Sequence, residues 1–529
     1  MQKTVLEHWQ IRKPAVASHT GLVATQHHLA SDVGAQVLRD GGNAVDAAVA
    51  AGLALGTVEP WMSGIGGGGY MTIYLAKEDR VRVVEFGMRA PFTSTPADYP
   101  LTDGQGASDA FNWQAVVGNV NVEGPLSIAV PGYVKGMSSA LQQFGSLDWA
   151  EVIEPACQLA EWGLPIDWFS TQKITSYARS LVKNDEARRV YLADGFPPVG
   201  HIDGEIETLR LGRLAETYRR LQSAGPQDYY TGELAASMTS DLARVGSKIS
   251  LQDLSAYEIR VTDPLVKEYR GATVNVPGRM TAGPSLVQAL SLLEKCVVRG
   301  RSEPSADDVV AMARTLHNVY EYRLEHLGEG EGGRSPDANP EPTNTSHLCV
   351  ADTNGNVVSL TQTIMSAFGS RVMLQDTGIL MNNGMMWFDP RPGLPNSVAG
   401  GRHPLCNMCP ALVQQADGGV FAVGACGGRK IFPAVLQLIS FLLDYDMSVD
   451  EAIHHARIDV SGAHDVSIMS HAPDDVIDAV VAAFANTRVL PNGVSPNSFG
   501  LPQIVRRLAD DSFDGGAFIP SPHAKVAVP

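Results

Sequence analysis

The hydrophobic pattern of this chain alternates between helical stretches and short buried strands. The predicted helices are 29–38, 44–57, 130–143, 146–163, 205–221, 229–245, 250–257, 285–296, 305–327, 432–443, 450–457 and 474–486. The predicted strands are 21–24, 70–75, 81–86, 272–276, 346–351, 357–364, 377–381, 411–415 and 420–424. Strands in the middle of the chain with helices on both sides predict an α+β fold in which stacked sheets lie between helical layers.

One stretch combines a loop signal with a strong hairpin signal. An acidic run rich in Gly and Pro, from about 329 to 344, is followed abruptly by a strand that begins at Ser346. Asn354-Gly355 between this strand and the next predicts a tight hairpin. Thr345 therefore lies where the loop ends, as the first residue of a core hairpin. If the backbone were cut before Thr345, its free α-amine could serve as the base for its own hydroxyl nucleophile. The alternative is that Thr-Ser here means only a hydrogen-bonded turn, as it usually does at a strand start.

Composition narrows the class of protein. The chain has 529 residues, is 44% hydrophobic and 18% charged, and so can bury a sizeable core. No linker separates independent domains.

A net charge of −17 without a basic stripe argues against a nucleic-acid partner. Apolar runs fall short of the roughly 18 residues that a membrane span requires. Residues 1–21 lack the apolar segment of a secretory signal, so we expect a cytoplasmic protein that does not enter membranes.

Two motifs suggest cofactors but fit them poorly. Cys406 and Cys409 form a C-x-x-C near His403 and Cys426, which together could ligate zinc. The spacing supplies only one pair, and buried thiols are the simpler prediction. The glycine-rich stretch 64–69 leads into a strand and lacks the Lys-Ser/Thr of a phosphate loop. We therefore expect close backbone packing or a substrate-side turn there, with no metal and no cofactor.

Several motifs follow one another from about residue 20 to the C-terminus. They are GGNAVDAA (41–48), GIGGGGY (64–70), VPG (130–132), YTG (230–232), DL (253–254) with Tyr257, YRG (269–271), TSH (345–347), PLCNMCP (404–410) and GG (427–428). In this order they resemble the gamma-glutamyltranspeptidase family of N-terminal-nucleophile (Ntn) hydrolases. The resemblance implies a four-layer αββα sandwich, made as a precursor that cuts itself between Asn344 and Thr345. Residues 1–344 would form the large subunit and 345–529 the small one, together an αβ heterodimer that could dimerise further.

The resemblance also implies roles for four residues. Thr345 would be the nucleophile, and Thr363 would hydrogen-bond to it. Gly427 and Gly428 would offer backbone N–H groups to the oxyanion, and glycine leaves room for the approaching substrate. A common strand residue at Thr363 and an ordinary strand-to-helix turn at the glycine pair are the alternative interpretations.

The departures from the family pattern concern the acyl donor. Transpeptidases that take γ-glutamyl donors use an arginine for the α-carboxylate, and an aspartate with an asparagine for the α-amine. This chain has Gly87 at the arginine position, Trp387 at the aspartate position and Met365 at the asparagine position, while Cys406-Asn407 replaces a Ser-Ser pair. A charged amine beside Met365 and Trp387 would be poorly compensated. The pattern looks more like the cephalosporin acylases and the oxamate amidohydrolase of this family.

We therefore expect an amidohydrolase acting on a small carboxylate-bearing substrate, such as an oxamate-like or glutaryl amide. Arg89 and Arg429 are the predicted carboxylate ligands, and Trp387 and Asn407 are predicted to line the substrate site. For Arg429 a solvated helix start is the alternative. Two other functions stay open: a gamma-glutamyltransferase or glutathione hydrolase with a rebuilt donor pocket, and a non-enzymatic scaffold. The intact Thr345 speaks against the scaffold.

Overall fold

The computed structural model describes residues 11–102, 113–201, 203–330, 345–461, 466–494 and 497–529. Its strands are β1 (Val16–Ser18), β2 (Leu22–Thr25), β3 (Gly68–Leu75), β4 (Arg80–Phe86), β5 (Leu164–Pro165), β6 (Thr208–Leu209), β7 (Arg260–Thr262), β8 (Leu265–Tyr269), β9 (Ala272–Val276), β10 (Ser346–Ala351), β11 (Val357–Thr363), β12 (Ala411–Gln414), β13 (Val420–Cys426), β14 (Ile458–Asp459), β15 (Val466–Met469), β16 (Thr487–Leu490), β17 (Leu501–Arg507), β18 (Phe513–Ala517) and β19 (Lys525–Ala527). Its helices are α1 (His28–Arg39), α2 (Ala44–Val58), α3 (Tyr133–Phe144), α4 (Trp149–Trp162), α5 (Trp168–Leu181), α6 (Asp185–Tyr191), α7 (Leu214–Ala224), α8 (Asp228–Thr231), α9 (Glu233–Val245), α10 (Leu251–Ser255), α11 (Gly283–Leu293), α12 (Ala306–His326), α13 (Ile431–Asp444), α14 (Val449–His454) and α15 (Asp474–Ala483).

Two antiparallel sheets of seven strands face each other. The first sheet has the order β19-β2-β10-β11-β3-β4-β7, and the second has the order β1-β18-β17-β13-β12-β9-β8. β10 and β11 of the first sheet pack against β13 of the second. Helices α1, α2 and α3 cover the outer face of the first sheet, and α11, α13 and α14 cover that of the second. The described residues thus form the αββα sandwich that the sequence predicts.

Each sheet packs against the helices that cover it through an apolar core. α2 is buried along its whole length, as its Ala-rich sequence predicts, and the Asn43 side chain caps its N-terminus by accepting from Val45 N and Asp46 N. Between the sheets lies a smaller apolar cluster, which includes Ala24, Cys349 and Leu412. Its side chains come from the inner faces of both sheets, so their packing holds one sheet against the other.

The predicted hairpin is present, with a further link to the helix layer. β10 and β11 pair antiparallel with Ser346 opposite Gln362, and Gly355 in the turn has a φ of 85°. The Asp352 carboxylate accepts from the backbone N–H groups of Asn354 and Asn356, each at 2.9 Å, and from Ala44 N at 2.8 Å. The turn is therefore fastened to the N-terminus of α2.

Two predictions about local structure are wrong, and two helices were missed. Residues 377–381 form no strand, because the chain reverses there with Gly378 at a φ of 68° and Gly378 N donating to Leu374 O. The helix predicted from 205 begins only at Leu214, since Thr208–Leu209 pairs with Leu164–Pro165 as a short ribbon. Helices α5 and α6 were not predicted at all. Within the described residues, no helix is both long and apolar enough to cross a membrane.

Candidate active site

Thr345 lies immediately before β10, at the end of the hairpin where β11 finishes. The pairing of Ser346 with Gln362 brings it opposite Thr363, and its hydroxyl donates to Thr363 Oγ1 over 3.4 Å. Thr363 Oγ1 also accepts from Met365 N at 2.7 Å, which fixes the position of this oxygen. Both threonines are buried. The structure thus brings the predicted nucleophile and its predicted partner together. Asn344, on the other side of the predicted cleavage bond, lies outside the described residues.

The glycine-rich stretch supports this pair through close backbone packing. A Cβ on Gly67 would overlap the carbonyl oxygen of Thr363, so only glycine fits at that point. The Gly67 carbonyl in turn accepts from the backbone N–H groups of Gly132 and Tyr133. The close-packing interpretation of this motif is confirmed, and its place is directly behind Thr363.

His347 shares the sheet face of Thr345 but has its own partners. Its Nδ1 lies 2.9 Å from Thr361 Oγ1, and its Nε2 lies 3.2 Å from Cys349 Sγ. Burial lowers the pKa of His347 to about 3, so its ring is neutral at physiological pH. The ring also packs on Gly424 of β13, where a Cβ would overlap it. His347 therefore spaces the two sheets, and the base for Thr345 must be found elsewhere.

Gly427 and Gly428 follow the end of β13. Their φ values of 119° and 59° lie in the left-handed region, which glycine adopts without strain. Cys426, just before them, accepts a hydrogen bond from the Gln26 side chain, and Gln26 follows β2, the neighbour of β10. The pair consequently lies at the end of the sheets where Thr345 lies, and it leads through Gly428–Lys430 into the N-terminus of α13. Backbone N–H groups at a helix N-terminus suit a developing negative charge. The oxyanion role stays a prediction.

Beside the two threonines lies an apolar cluster that we call the acyl pocket wall. Its members include Tyr70, Met88, Met280, Met365, Met385, Trp387, Leu405, Cys406 and Met408, all buried. Met365 holds a φ of 89°, a conformation that costs a non-glycine residue about 1–3 kcal/mol. The Trp387 carbonyl accepts from Trp113 Nε1 at 3.3 Å and from Asn396 Nδ2 at 2.6 Å. Glu85 of β4 lies directly opposite Tyr70 in the sheet, and the pKa of Tyr70 is raised by burial and, to a smaller extent, by neighbouring groups that include Glu85.

Tyr70 accounts for the glycine at position 87. A Cβ on Gly87 would lie 2.6 Å from the Tyr70 hydroxyl oxygen, and the Tyr257 hydroxyl donates to Gly87 O at 2.6 Å. An arginine side chain at this position would have to displace the Tyr70 ring. Tyr70 pairs with Thr361 in the sheet, so it shares the face of Thr363. Sequence reasoning missed Tyr70, because the last residue of a glycine motif gives no sign of where its ring will lie.

Arg89 is held by backbone groups around α10. Its Nη1 donates to Ala256 O at 3.0 Å and its Nη2 to Asp253 O at 2.9 Å, while the guanidinium lies 4.5 Å from the centre of the Phe92 ring. Burial lowers its pKa. This arrangement favours a tether between loop and helix, and the carboxylate-binding role of Arg89 stays a prediction.

The remaining predicted ligands are also buried. Asn407 Oδ1 accepts from Arg323 Nη2 at 3.4 Å. Arg429 begins the segment after the glycine pair, and its carbonyl accepts from the Tyr320 hydroxyl. Burial raises the pKa of Asp459, and the positive charges of Lys430 and Arg429 partly oppose that rise. A solvated helix start is therefore wrong for Arg429, since its side chain is 4% exposed.

The cysteines near the site are buried thiols. Burial raises the pKa of Cys406 to about 11 and that of Cys409 to about 12, so both stay protonated at neutral pH. His403 Nδ1 is 3.1 Å from the Met88 carbonyl. Across the part of the chain that the structure describes, no three His, Cys, Asp or Glu side chains gather as metal ligands.

Comparison with known proteins identifies the family. The model of the gamma-glutamyltranspeptidase family matches residues 30–337 and 331–517. The glutathione hydrolase proenzyme of Bacillus subtilis (strain 168) is 31% identical, over 94% of this chain and 91% of its own length. The acylase ACY 1 proenzyme of Pseudomonas sp. (strain SE83) is 34% identical, over 89% of this chain and 88% of its own. The crystal structure of a cephalosporin acylase from Bacillus halodurans has the same fold, with a TM-score of 0.83 and 23% identity, over 100% of this chain and 99% of that one. The chain therefore belongs to the gamma-glutamyltranspeptidase family, as a hydrolase or acyltransferase with the Ntn-hydrolase fold.

Proposed function

We propose that this enzyme is a self-processing amidohydrolase that removes a small carboxylate-bearing acyl group, oxamate-like or glutaryl, from an amine. The observation that carries the proposal is the hydroxyl of Thr345, held at the start of β10 by Thr363. Family membership sets the non-enzymatic scaffold aside. The names of both relatives described above include "proenzyme", which supports a precursor that is cut.

Cleavage and catalysis use the same oxygen. The Thr345 hydroxyl attacks the carbonyl of Asn344, and the peptide C–N bond breaks, which frees the α-amine of Thr345 and leaves an ester. Water then hydrolyses this ester, which restores the Thr345 hydroxyl and leaves Asn344 with a free carboxylate. That amine has a reference pKa near 7.7–8.0, so an appreciable part is neutral at pH 7 and can take the hydroxyl proton. Thr345 Oγ1 then attacks the carbonyl of the substrate amide. The amine of the substrate leaves with the proton that the α-amine of Thr345 took up, and water hydrolyses the acyl-enzyme.

The acyl pocket wall supports an acyl group without an α-amine. Met365 and Trp387 stand where ammonium ligands would be expected, and Tyr70 fills the space beside Gly87. Burying an ammonium group against these side chains without a partner would cost at least about 1–3 kcal/mol. The second candidate, a gamma-glutamyltransferase or glutathione hydrolase with a rebuilt pocket, is favoured by the similar identity of the glutathione hydrolase from Bacillus subtilis.

A screen across oxalyl, succinyl, glutaryl and γ-glutamyl amides separates the two candidates. We expect the amides of acids without an α-amine to be hydrolysed with a kcat/KM about 5- to 150-fold higher than that of the γ-glutamyl amides, from the cost above. A clear preference for γ-glutamyl-p-nitroanilide or glutathione would favour the second candidate instead. Adding an acceptor such as glycylglycine then distinguishes transfer from hydrolysis.

A further inference from the structure

A second set of polar contacts lies behind the proposed nucleophile, on the side of the first sheet that faces the helices. Ser346 and Gln362 are directly opposite each other in the hairpin, and their side chains point towards α2, away from Thr363. The Tyr133 hydroxyl of α3 donates to Gln362 Oε1 at 3.0 Å, and Gln362 Nε2 donates to Ser63 Oγ at 2.9 Å. Ser63 Oγ in turn donates to Ser346 Oγ at 3.0 Å. We call these four hydrogen-bonded residues the Ser63 network.

The direction of each hydrogen bond in the Ser63 network follows from its fixed ends. Gln362 Nε2 also donates to the Gly52 carbonyl at 2.9 Å, and a carbonyl can only accept, so the amide cannot be turned the other way. Burial raises the pKa of Tyr133, which therefore keeps the proton that it donates to Gln362 Oε1. Because Ser63 already accepts from Gln362, its own proton is free to reach Ser346. The network thus ends on the second residue of the predicted small subunit.

The helix layer leaves room for the Ser63 network at one position. Gly52 lies in the middle of α2, where glycine is less favourable than alanine. A Cβ there would lie 2.7 Å from Gln362 Oε1 and 3.1 Å from the Tyr133 hydroxyl oxygen, so a larger residue would disturb both groups. All four side chains of the network are buried. Buried polar groups that satisfy one another hold a single arrangement, so the network is rigid.

Thr345 needs such an anchor once the chain is cut. Before the cut, peptide bonds hold Thr345 on both sides, whereas afterwards it is a chain end, and chain ends fray unless they are tied down. Its hydroxyl is 3.4 Å from Thr363 Oγ1, a long hydrogen bond that holds a chain end weakly. Ser346 is the next residue, and it is held both by its pairing with Gln362 and by the Ser63 hydroxyl. The position of Ser346 therefore limits how far the terminal residue can move.

We propose that Ser63 is a positioning residue, which acts through Ser346 to keep the α-amine and the hydroxyl of Thr345 in place after the cut. The inference rests on the part of the proposed function in which Thr345 becomes the N-terminal nucleophile, and it holds for any acyl group. Ser63 does not touch the substrate, because its hydroxyl lies on the helix side of the sheet and Thr363 faces the other side. Self-cleavage, with Thr345 tethered on both sides, consequently needs the network less than turnover does.

Ser63→Ala removes the donor to Ser346 and leaves the hydrogen bond between Gln362 and the Gly52 carbonyl. With glutaryl- and γ-glutamyl-p-nitroanilide we expect kcat to fall by about three- to tenfold, the effect of one lost buried hydrogen bond, at an unchanged KM. Cleavage of the precursor, followed on denaturing gels during cell-free synthesis, should keep its wild-type rate. Ser346→Ala should behave in the same way, and Ser346→Thr, which keeps a hydroxyl, should retain the wild-type kcat.

A double variant shows whether the two hydroxyls act through one hydrogen bond. Ser63→Ala combined with Ser346→Ala should turn over as slowly as either single variant, because the second substitution removes nothing further. Ser359→Ala is the matched control, since it removes another buried hydroxyl of β11, which donates to Val423 O at 3.3 Å on the opposite side of the sheet. It should keep the wild-type kcat. Losses that multiply in the double variant, or equal slowing of cleavage and turnover in Ser63→Ala, would overturn the proposal.

Periodate separates this inference from the proposed function without any substrate. It cleaves a free 1,2-amino alcohol, which a threonine carries only at a chain N-terminus, and mass spectrometry of the small subunit detects the product. If Thr345 of the wild type is not oxidised even after unfolding in urea, the chain is not cut there and the proposed function fails. We expect folded Ser63→Ala to be oxidised at least about threefold faster than folded wild type and Ser359→Ala, because its N-terminus frays. Equal rates in the folded proteins, with Thr345 oxidised in all of them after unfolding, would overturn the inference and leave the proposed function standing.

Discussion

The hairpin that carries the two threonines and the acyl pocket wall beside it are built on different principles. In the hairpin, strand pairing fixes each polar side chain opposite a partner, as in Thr345 with Thr363 and His347 with Thr361. Apart from Tyr70 of β3, the wall comes mostly from loops, and Asn407 Nδ2, between Cys406 and Met408 of the wall, is buried without an acceptor in the described part of the chain. Sheet register protects the chemistry from change, whereas loops let the acyl specificity change without disturbing it.

The largest expected effect comes from removing the nucleophile. Thr345→Ala should stay a single chain and lose at least about 10⁴-fold in activity, because one oxygen performs both the self-cleavage and the acyl transfer. A denaturing gel and N-terminal sequencing of the small subunit check this, with Thr345 expected as the first residue in the wild type. Wild type that is active as one uncut chain would contradict the role given to the hairpin.

The next largest effect is expected from Thr363, and its substitution tests whether the hairpin supports the nucleophile through this residue. Thr363→Val keeps the shape but removes the oxygen that accepts from Thr345 and from Met365 N, so processing and kcat should slow by about 10- to 100-fold. Thr361→Val is the matched control, since it removes a hydroxyl two residues away that bonds to His347 instead. Equal rates for Thr363→Val and wild type would remove Thr363 from the site.

A smaller effect is expected from Arg89 in the pocket region. The sequence predicts that Arg89→Ala selectively lowers kcat/KM for carboxylate-bearing amides by more than about tenfold. Because Arg89 donates to Ala256 O and Asp253 O, the structure leads us to expect a lower melting temperature and similar losses for glutaryl and pentanoyl amides. A selective loss for the glutaryl amide would restore Arg89 as a carboxylate ligand.

The same division explains what sequence alone can predict. The hairpin was predictable because Asn354-Gly355 fixes its turn and strand alternation fixes the register, which carries Thr363 back to Thr345. The strand Leu501–Arg507, which lies between β13 and β18 in the second sheet, was missed, and so were the backbone acceptors of Arg89. Tyr70 and Arg323 reach the pocket region only through tertiary packing, and the sequence around either residue does not indicate this position. Family motifs located the pocket positions, but they could not show which side chains fill the space left by Gly87.

The smallest effect on activity at neutral pH is expected from substituting His347. This substitution tests whether the His347 ring sets the spacing of the two sheets. Its pKa in the folded protein is about 3 against an ordinary 6.5, so the unfolded chain takes up a proton between these values that the folded chain does not. The stabilisation is therefore complete above pH 6.5 and is lost as the pH falls towards 3, by at most about 5 kcal/mol.

His347→Gln cannot titrate, and it should be less stable than the wild type at pH 7 because it loses the packing on Gly424 and the bonds to Thr361 and Cys349. Its stability should fall less steeply between pH 6.5 and 4.5. Urea unfolding at several pH values measures both slopes, and His326→Gln, at an exposed position, should follow the wild type. Parallel slopes for His347→Gln and the wild type would mean that His347 is not held neutral between the sheets. The hairpin would then owe its position against β13 to the surrounding apolar packing alone.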